Sequence, residues 1–293
     1  MVRGIGRWLS AWLTCLLCLL APMAQAGLQV FLKGADPRDV SELQESLRKE
    51  IAGDSQIQLV DAEDKSDVVV ALGADSLPPS GERRRPMLVL EPSPSALELQ
   101  KQDSAVYWAP SLAAQLALTR FLLPATNRVG MLSGNKPEDE SWLRVFRQYA
   151  AQQSIDVRIV PADTARLARQ VAELAVGCDV LMAQPDARIY NRDTIRLILL
   201  SAYRQNRVLI GPSPAFVRAG ALASLYASSA RIAEGVAYSL RQYARNGHFP
   251  PPYRLKQFSV SLNVQVAKSL GLTVPAANEL ERMIRFEELP TWP

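Results

Sequence analysis

The run LQVFLKGADPRDVSELQESLRKEI, residues 28–51, contains one complete unit of the fold. Leu28 to Leu32 reads as a short apolar strand, and Asp36-Pro37 opens a helix. Aspartate suits the N-cap because its carboxylate accepts an orphan backbone N–H, and proline suits the first helical position, where no N–H is needed. The helix carries Val40, Leu43, Leu47 and Ile51 on one stripe, the spacing a single buried face requires. A strand followed by an amphipathic helix is the repeat of a parallel sheet covered by helices.

Reading outward, the same theme recurs. Strands are expected at Ile57 to Val60, Val68 to Leu72 and Met87 to Leu90, and then an apolar helix from Ser111 to Leu123. The unbroken apolar run Val68 to Leu72 suits a strand buried on both faces. The helical pattern breaks at Leu123-Pro124-Ala125-Thr126-Asn127, and a new strand begins at Arg128, so the first crossing between two lobes is expected there.

A second series follows. A helix starts near Asn135, with Glu138, Asp139 and Glu140 in its first turn, where the helix dipole favours negative charge. Its stripe is Trp142, Val145, Phe146 and Tyr149. Strands at Val157 to Val160, Asp179 to Ala183 and Val208 to Ile210 alternate with helices through Leu167, Val171 and Leu174 and through Ile195, Ile198, Leu199 and Ala202. A long helix from about Ser229 stops at Asn246-Gly247, a C-terminal signal. A strand near Phe258 to Leu262 and helices near Gln265 to Leu270 and Ala277 to Phe286 close the chain. The expected class is α/β, with two Rossmann-like lobes of parallel sheet joined by a hinge. The expected division is lobe I from 27 to 124, rejoined by 228–250, and lobe II from 125 to 227, rejoined by 251–293.

Before this lie Arg3 and Arg7, an apolar run from Trp8 to Leu20, and Ala24-Gln25-Ala26 ahead of Gly27. That order is a secretory signal peptide, with cleavage expected after Ala26 and the periplasm as the expected location. The apolar run is shorter than the about 20 residues of a membrane-spanning helix. Of three cysteines, two lie in this leader, so the remainder keeps Cys178 alone and can form neither an internal disulfide nor a CxxC metal site. Cys178 is expected to pack as a small apolar residue at the start of a strand.

The formal charge of +4 falls to about +2 without Arg3 and Arg7, with both signs scattered, which is no nucleic-acid footprint. Arg83-Arg84-Arg85 reads as a solvated loop or a contact for anionic lipid. The single histidine, His248, sits in a Gly-His-Phe-Pro loop, and no G-x-S-x-G elbow accompanies it. Neither G-x-x-x-x-G-K-[ST] nor, outside the leader's Gly4-Ile5-Gly6, any start of a dinucleotide fingerprint is present. An enzyme, a metal site and a bound cofactor are therefore not expected.

In open α/β sheets, ligands settle beyond the carboxyl ends of the strands, near helix N-termini. The candidate ligand-binding residues in the first lobe are Lys33, Gly34, Gly73, Asp75, Ser76, Glu91 and Ser93. In the second they are Ser133, Asn135, Gln184, Asp186, Tyr190, Ser213, Tyr226 and Ser228. Tyr190 and Tyr226 are candidates to stack on a ligand, since tyrosine is apolar with a polar tip.

The stretch Ser261-Leu262-Asn263-Val264-Gln265-Val266-Ala267-Lys268-Ser269-Leu270-Gly271-Leu272-Thr273-Val274-Pro275 resembles the closing motif of the tryptophan-binding-protein-like group of ABC transporter substrate-binding proteins. Phe216 to Ser224 is similar to that family's Ala-Gly-Ala-Leu pattern before a strand, and Asp67 to Gly73 to its third strand. After the Ala-Gly-Ala-Leu strand this chain has Tyr226-Ala227-Ser228-Ser229, where family members tend to have Tyr and Asp. The resemblance covers about residues 128–275 and implies a type I periplasmic binding fold. It further implies capture of a small polar solute such as an amino acid, by a monomer, for an ABC permease in the inner membrane. The first lobe reads as shortened, which favours a second role, sensing a ligand or scaffolding for a sensor kinase or outer-membrane receptor without transport.

Overall fold

A computed structural model describes residues 27–91, 97–134, 139–184, 186 and 188–286. The expected leader, Ser93, Asn135 and the first turn at Glu138 lie outside the described residues, as does the side chain of Trp142.

The first sheet is built from β1 (Leu28–Gly34), β2 (Ile57–Leu59), β3 (Val68–Leu72), β4 (Met87–Glu91) and β5 (Ser104–Tyr107), and later from β11 (Tyr253–Arg254). Its spatial order is β11-β5-β4-β3-β1-β2, with every pairing parallel. Helix α1 (Pro37–Glu50) follows β1 as the sequence requires, with Pro37 in its first turn and the Asp36 carboxylate accepting the Arg38 N–H at 2.8 Å. Leu43 and Leu47 of its stripe are buried.

Helix α2 (Leu112–Leu122) comes next, and then the second sheet. That sheet contains β6 (Arg128–Ser133), β7 (Asp156–Pro161), β8 (Val180–Met182), β9 (Val208–Gly211), β10 (Ala223–Tyr226) and β12 (Ser259–Leu262). Its order is β12-β10-β9-β8-β6-β7, parallel except for the antiparallel β12. The intervening helices are α3 (Asp139–Gln152), α4 (Leu167–Gly177), α5 (Ile195–Tyr203), α6 (Pro214–Ala219) and α7 (Ser229–Asn246). Two short helices, α8 (Val264–Ser269) and α9 (Ala277–Phe286), end the described chain. Five parallel strands in the same order in both sheets, with one added strand at each edge, give the two α/β lobes expected from the sequence.

The second sheet is covered on both faces. Val180 and Met182 join the cluster that includes Leu143 and Phe146 of α3, whereas Leu181 joins Leu167, Val171 and Leu174 of α4 and Ile198 of α5. Alternate side chains of one strand thus enter two separate cores. Each fully buried Val, Leu or Ile contributes about 1.5–3 kcal/mol relative to exposure.

The first sheet is covered differently. On one face α1 and α7 pack against each other and over Val30, Val68, Val70 and Leu88. On the other, Val69, Ala71 and Met87 form a small cluster with Phe31 and Leu77. Among the described residues, the connections from β2 to β5 carry only 3-10 turns, one between β2 and β3 at Glu63–Lys65 and two between β3 and β4 at Ala74–Ser76 and Ser80–Glu82. Among the described residues, loops and 3-10 turns seal this face.

Two sequence expectations need correction. Helix α2 does not belong to the first lobe: it packs against α3, α9 and β10, and Thr119 Oγ1 reaches Met182 Sδ on β8 at 3.8 Å. The first crossing therefore lies between Trp108 and Ser111, after β5, a strand the sequence reading did not find. Leu123-Pro124 ends a helix without changing lobes. The chain returns to the first lobe after Tyr226, and it leaves again only after Leu255, whose N–H binds Tyr107 O at 2.9 Å. Tyr253–Arg254 accordingly pairs in the first sheet.

The second correction concerns Arg83-Arg84-Arg85. Arg84 is exposed, but Arg83 is sealed in an ion pair with Asp103 at 3.0 Å, and Arg85 donates to Ser66 O at 2.6 Å and Asp64 O at 2.8 Å. Two of the three cations serve as internal struts, because without helices the loop carbonyls need donors from elsewhere.

Candidate functional site

The carboxyl ends of β1, β3, β4 and β5 converge at the mouth of the first lobe, where α1 and α7 begin. A cavity of about 380 Å³ opens there, lined by Asp39, Glu42 and Leu43 of α1, by Leu72 and Leu90 at the ends of β3 and β4, by Gly73 and Trp108 just beyond β3 and β5, and by Ala227, Ser229 and Ile232. Ala227 belongs to the segment that crosses between lobes, so the site sits beside the hinge.

Local sequence explains this placement. Gly73 holds φ +89°, a conformation that favours glycine, and lets the chain turn off β3 without a side chain over the opening. Asp36 and Ser228 cap α1 and α7 through their side-chain oxygens. The caps fix where each first turn begins and hence where Asp39, Glu42 and Ser229 stand. The Ser229 hydroxyl donates to Glu42 Oε1, joining the first turn of α7 to α1 across the cavity edge. Asp39 is exposed and has no hydrogen bond or ion pair among the described residues.

Of the residues expected from sequence, only Gly73 lines this cavity. Gly34 lies just behind it, where an added Cβ would meet Val40 Cγ2 at 2.9 Å and Leu72 Cβ at 3.0 Å. Lys33 turns to the loop-covered face and pairs with Glu63 at 3.4 Å, because neighbouring residues on a strand point to opposite faces. Ser76 donates to Leu72 O at 2.7 Å, a local turn bond. Glu91 is half-buried and accepts the Ala74 N–H. Burial pushes its carboxyl above the usual range, with nearby Asp75 adding to the rise and the Ala74 N–H opposing it.

In the second lobe Ser133 is buried at the end of β6, where its carbonyl accepts the Ala162 N–H at 2.9 Å. Gln184 is half-buried, and its carbonyl accepts the Asp186 N–H at 2.9 Å. Asp186 pairs with Arg188 at 2.7 Å, and both side chains lie over Gly134. Tyr190 is not poised to stack on a ligand: it is 7 % exposed and meets Phe216 edge-on at 6.0 Å within the second-lobe core. Burial drives its phenol well above the usual range. Ser213 precedes α6 without a side-chain cap bond, Tyr226 is half-buried at the end of β10, and Ser228 is spent on capping α7 through the Arg231 N–H at 3.4 Å. None of these lines the first-lobe cavity.

Sequence reasoning missed Asp39, Glu42, Trp108, Ser229 and Ile232. The first, second and fourth could have been found by extending each strand-end loop through the first turns of the next helix. Trp108 follows the overlooked β5. Among the described residues, no group of three or more His, Cys, Asp or Glu is placed to hold a metal ion, and no helix is long and apolar enough to cross a membrane.

No family model matches this sequence, and no curated protein compared with it does. Solved structures do match in shape. A substrate-binding protein with adhesive properties from Clostridium difficile, in its ligand-free open form, has a TM-score of 0.64 at 14 % identity, over 85 % of this chain and 96 % of that one. A conserved domain protein from Vibrio cholerae O1 biovar El Tor gives 0.60 at 15 %, over 87 % and 98 %. An ABC domain in complex with L-Trp from Streptococcus pneumonia gives 0.58 at 16 %, over 88 % and 98 %. These likenesses show the fold alone: the two six-stranded α/β lobes have the type I periplasmic binding fold.

Proposed function

We propose that this chain is a periplasmic solute-binding protein, which captures a small molecule between its lobes and delivers it to an ABC-type importer. The observation that carries the proposal is the cavity at the strand ends beside the hinge, where α/β folds bind ligands. The solved structures named above, one a substrate-binding protein and one an ABC domain holding L-Trp, add support. Three crossings near Trp108–Ser111, Tyr226–Ser228 and Leu255–Phe258 supply a hinge about which the lobes close. The leader pattern ahead of Gly27 supports export to the periplasm.

The test is a thermal-shift screen of the purified chain against amino acids, amines, short peptides, purines, sugars and organic anions. A ligand at 100 times its dissociation constant stabilises the folded form by about 2.7 kcal/mol. At roughly 2–4 °C per kcal/mol for a protein of this size, the midpoint should rise by several degrees. A screen in which no class moves the midpoint overturns solute capture in favour of a scaffold role for the same fold.

A further inference from the structure

We propose that the first-lobe cavity selects an organic cation: a protonated amine or quaternary ammonium group on an apolar, aromatic-sized body. The inference rests on the solute-binding reading and names the class of solute. The cavity is the starting point. Its volume of about 380 Å³ falls within the ~300–1,000 Å³ of small-molecule sites, and Leu43, Leu72, Leu90, Trp108 and Ile232 give it apolar walls. A small inorganic ion would leave those walls unused.

Charge then decides which apolar solutes fit. The lining contains two carboxylates, Asp39 and Glu42, and no Lys, Arg or His. Glu42 is held by the Ser229 hydroxyl on one oxygen, and Asp39 has no hydrogen-bond or ion-pair partner among the described residues. Against these full negative charges stand the N-termini of α1 and α7, each worth about +0.5 charge. That of α1 is already offset by its Asp36 cap, which is not part of the lining; that of α7 has no acidic residue in its first turn. The sum at the opening stays negative. Trp108 adds a wall of the kind that attracts cations to its ring face. An anionic solute would meet two carboxylates with no cation in the lining to answer it, and a zwitterion would gain at one end and lose at the other.

Three probes sharing one aromatic body separate the possibilities: phenethylamine, phenylalanine and 3-phenylpropionate, each titrated by calorimetry and by tryptophan fluorescence. Phenethylamine is expected to bind at least tenfold more tightly than phenylalanine, with 3-phenylpropionate weakest. Raising salt should narrow the gap, and Asp39→Asn with Glu42→Gln should abolish it while leaving the thermal midpoint near that of the parent. Equal or tighter binding of the zwitterion or the anion, or a preference that survives the double substitution, overturns the assignment. If none of the three binds while the thermal screen finds another class, the cation assignment falls and solute capture stands. If neither experiment finds a ligand, solute capture falls and takes the assignment with it.

Discussion

Arg83 Nη1 lies 3.0 Å from Asp103 Oδ2, with the two side chains 4 % and 0 % exposed, on the face of the first sheet that has loops where the other face has helices. The pair is the centre of a wider brace. Arg83 also donates to Pro78 O at 3.0 Å and Glu98 O at 2.6 Å, while Asp103 accepts the Met87 and Gln100 N–H groups, both at 3.0 Å. One ion pair thus ties the loop before β4 to the loop before β5. It fixes the sheet whose strand ends shape the cavity.

Removing Asp103 would leave a buried guanidinium without its counter-ion and two backbone donors without an acceptor. Asp103→Ala is expected to cost roughly 3–5 kcal/mol, the range for breaking a buried pair from one side. Urea unfolding followed by circular dichroism measures it. Arg83→Met with Asp103→Ala should cost less than Asp103→Ala alone, because no charge is stranded. An Asp103→Ala cost below about 1 kcal/mol, the value of an exposed pair, would show that the brace is open to solvent.

Glu91 predicts an inverted pH dependence. Its carboxyl is raised in the folded protein, chiefly by burial, so the native state holds its proton at pH values where the unfolded chain has lost it. Its stabilising contribution is therefore complete below the ordinary glutamate value of about 4.3 and is lost as pH rises through the raised one. Glu91→Gln stays neutral and keeps an oxygen for the Ala74 N–H. Its melting point should exceed that of the parent at pH 7, and the two should converge near pH 4. A variant less stable at pH 7 would show that the ionised carboxylate is favoured in place.

Gly130 on β6 faces the second-lobe core, where an added Cβ would meet Leu174 Cγ and Leu181 Cδ2 at 2.8 Å and Cys178 Sγ at 2.9 Å. All three neighbours are buried, so Gly130→Ala is expected to destabilise by about 1–3 kcal/mol through overpacking. Pairing it with Cys178→Ala should recover part of that loss, a coupling that a double-mutant cycle reads directly.

Cys178 is 1 % exposed, and burial holds its thiol above the usual range despite nearby Arg158 and Arg128. The thiolate is the reactive form. A disulfide reagent should leave residue 178 unmodified in the folded protein and label it on denaturation. Rapid labelling of native protein would place the thiol at the surface.

Trp108 forms part of the apolar wall of the cavity. For whichever solute the thermal screen identifies, Trp108→Ala should weaken binding by about 2 kcal/mol, roughly thirtyfold, as expected for a buried aromatic contact at a binding site. Tyr190→Ala, in contrast, should lower the melting point, since that ring packs in the core. A binding loss confined to Tyr190→Ala would move the site into the second lobe.

The sequence alone determined the repeating βα unit, the cap at Asp36, the stop at Gly247, the packing of Cys178 and the two-lobed class. These are local properties, written in periodicity and turn chemistry over a few residues. Tertiary structure alone decided what depends on partners far away in the chain. Leu112–Leu122 is apolar nearly all round, and nothing within it says that it covers the second sheet. Tyr253 finds its place only by pairing with Val106 across the first sheet. The site divided along the same line. Strand-end loops located the mouth of the lobe, yet Lys33 and Tyr190 turned away, and Asp39, Glu42 and Trp108 filled it. Which face a strand residue meets, and which helix turns overlook a shared opening, are set by the register and packing of whole elements, at distances no local pattern encodes.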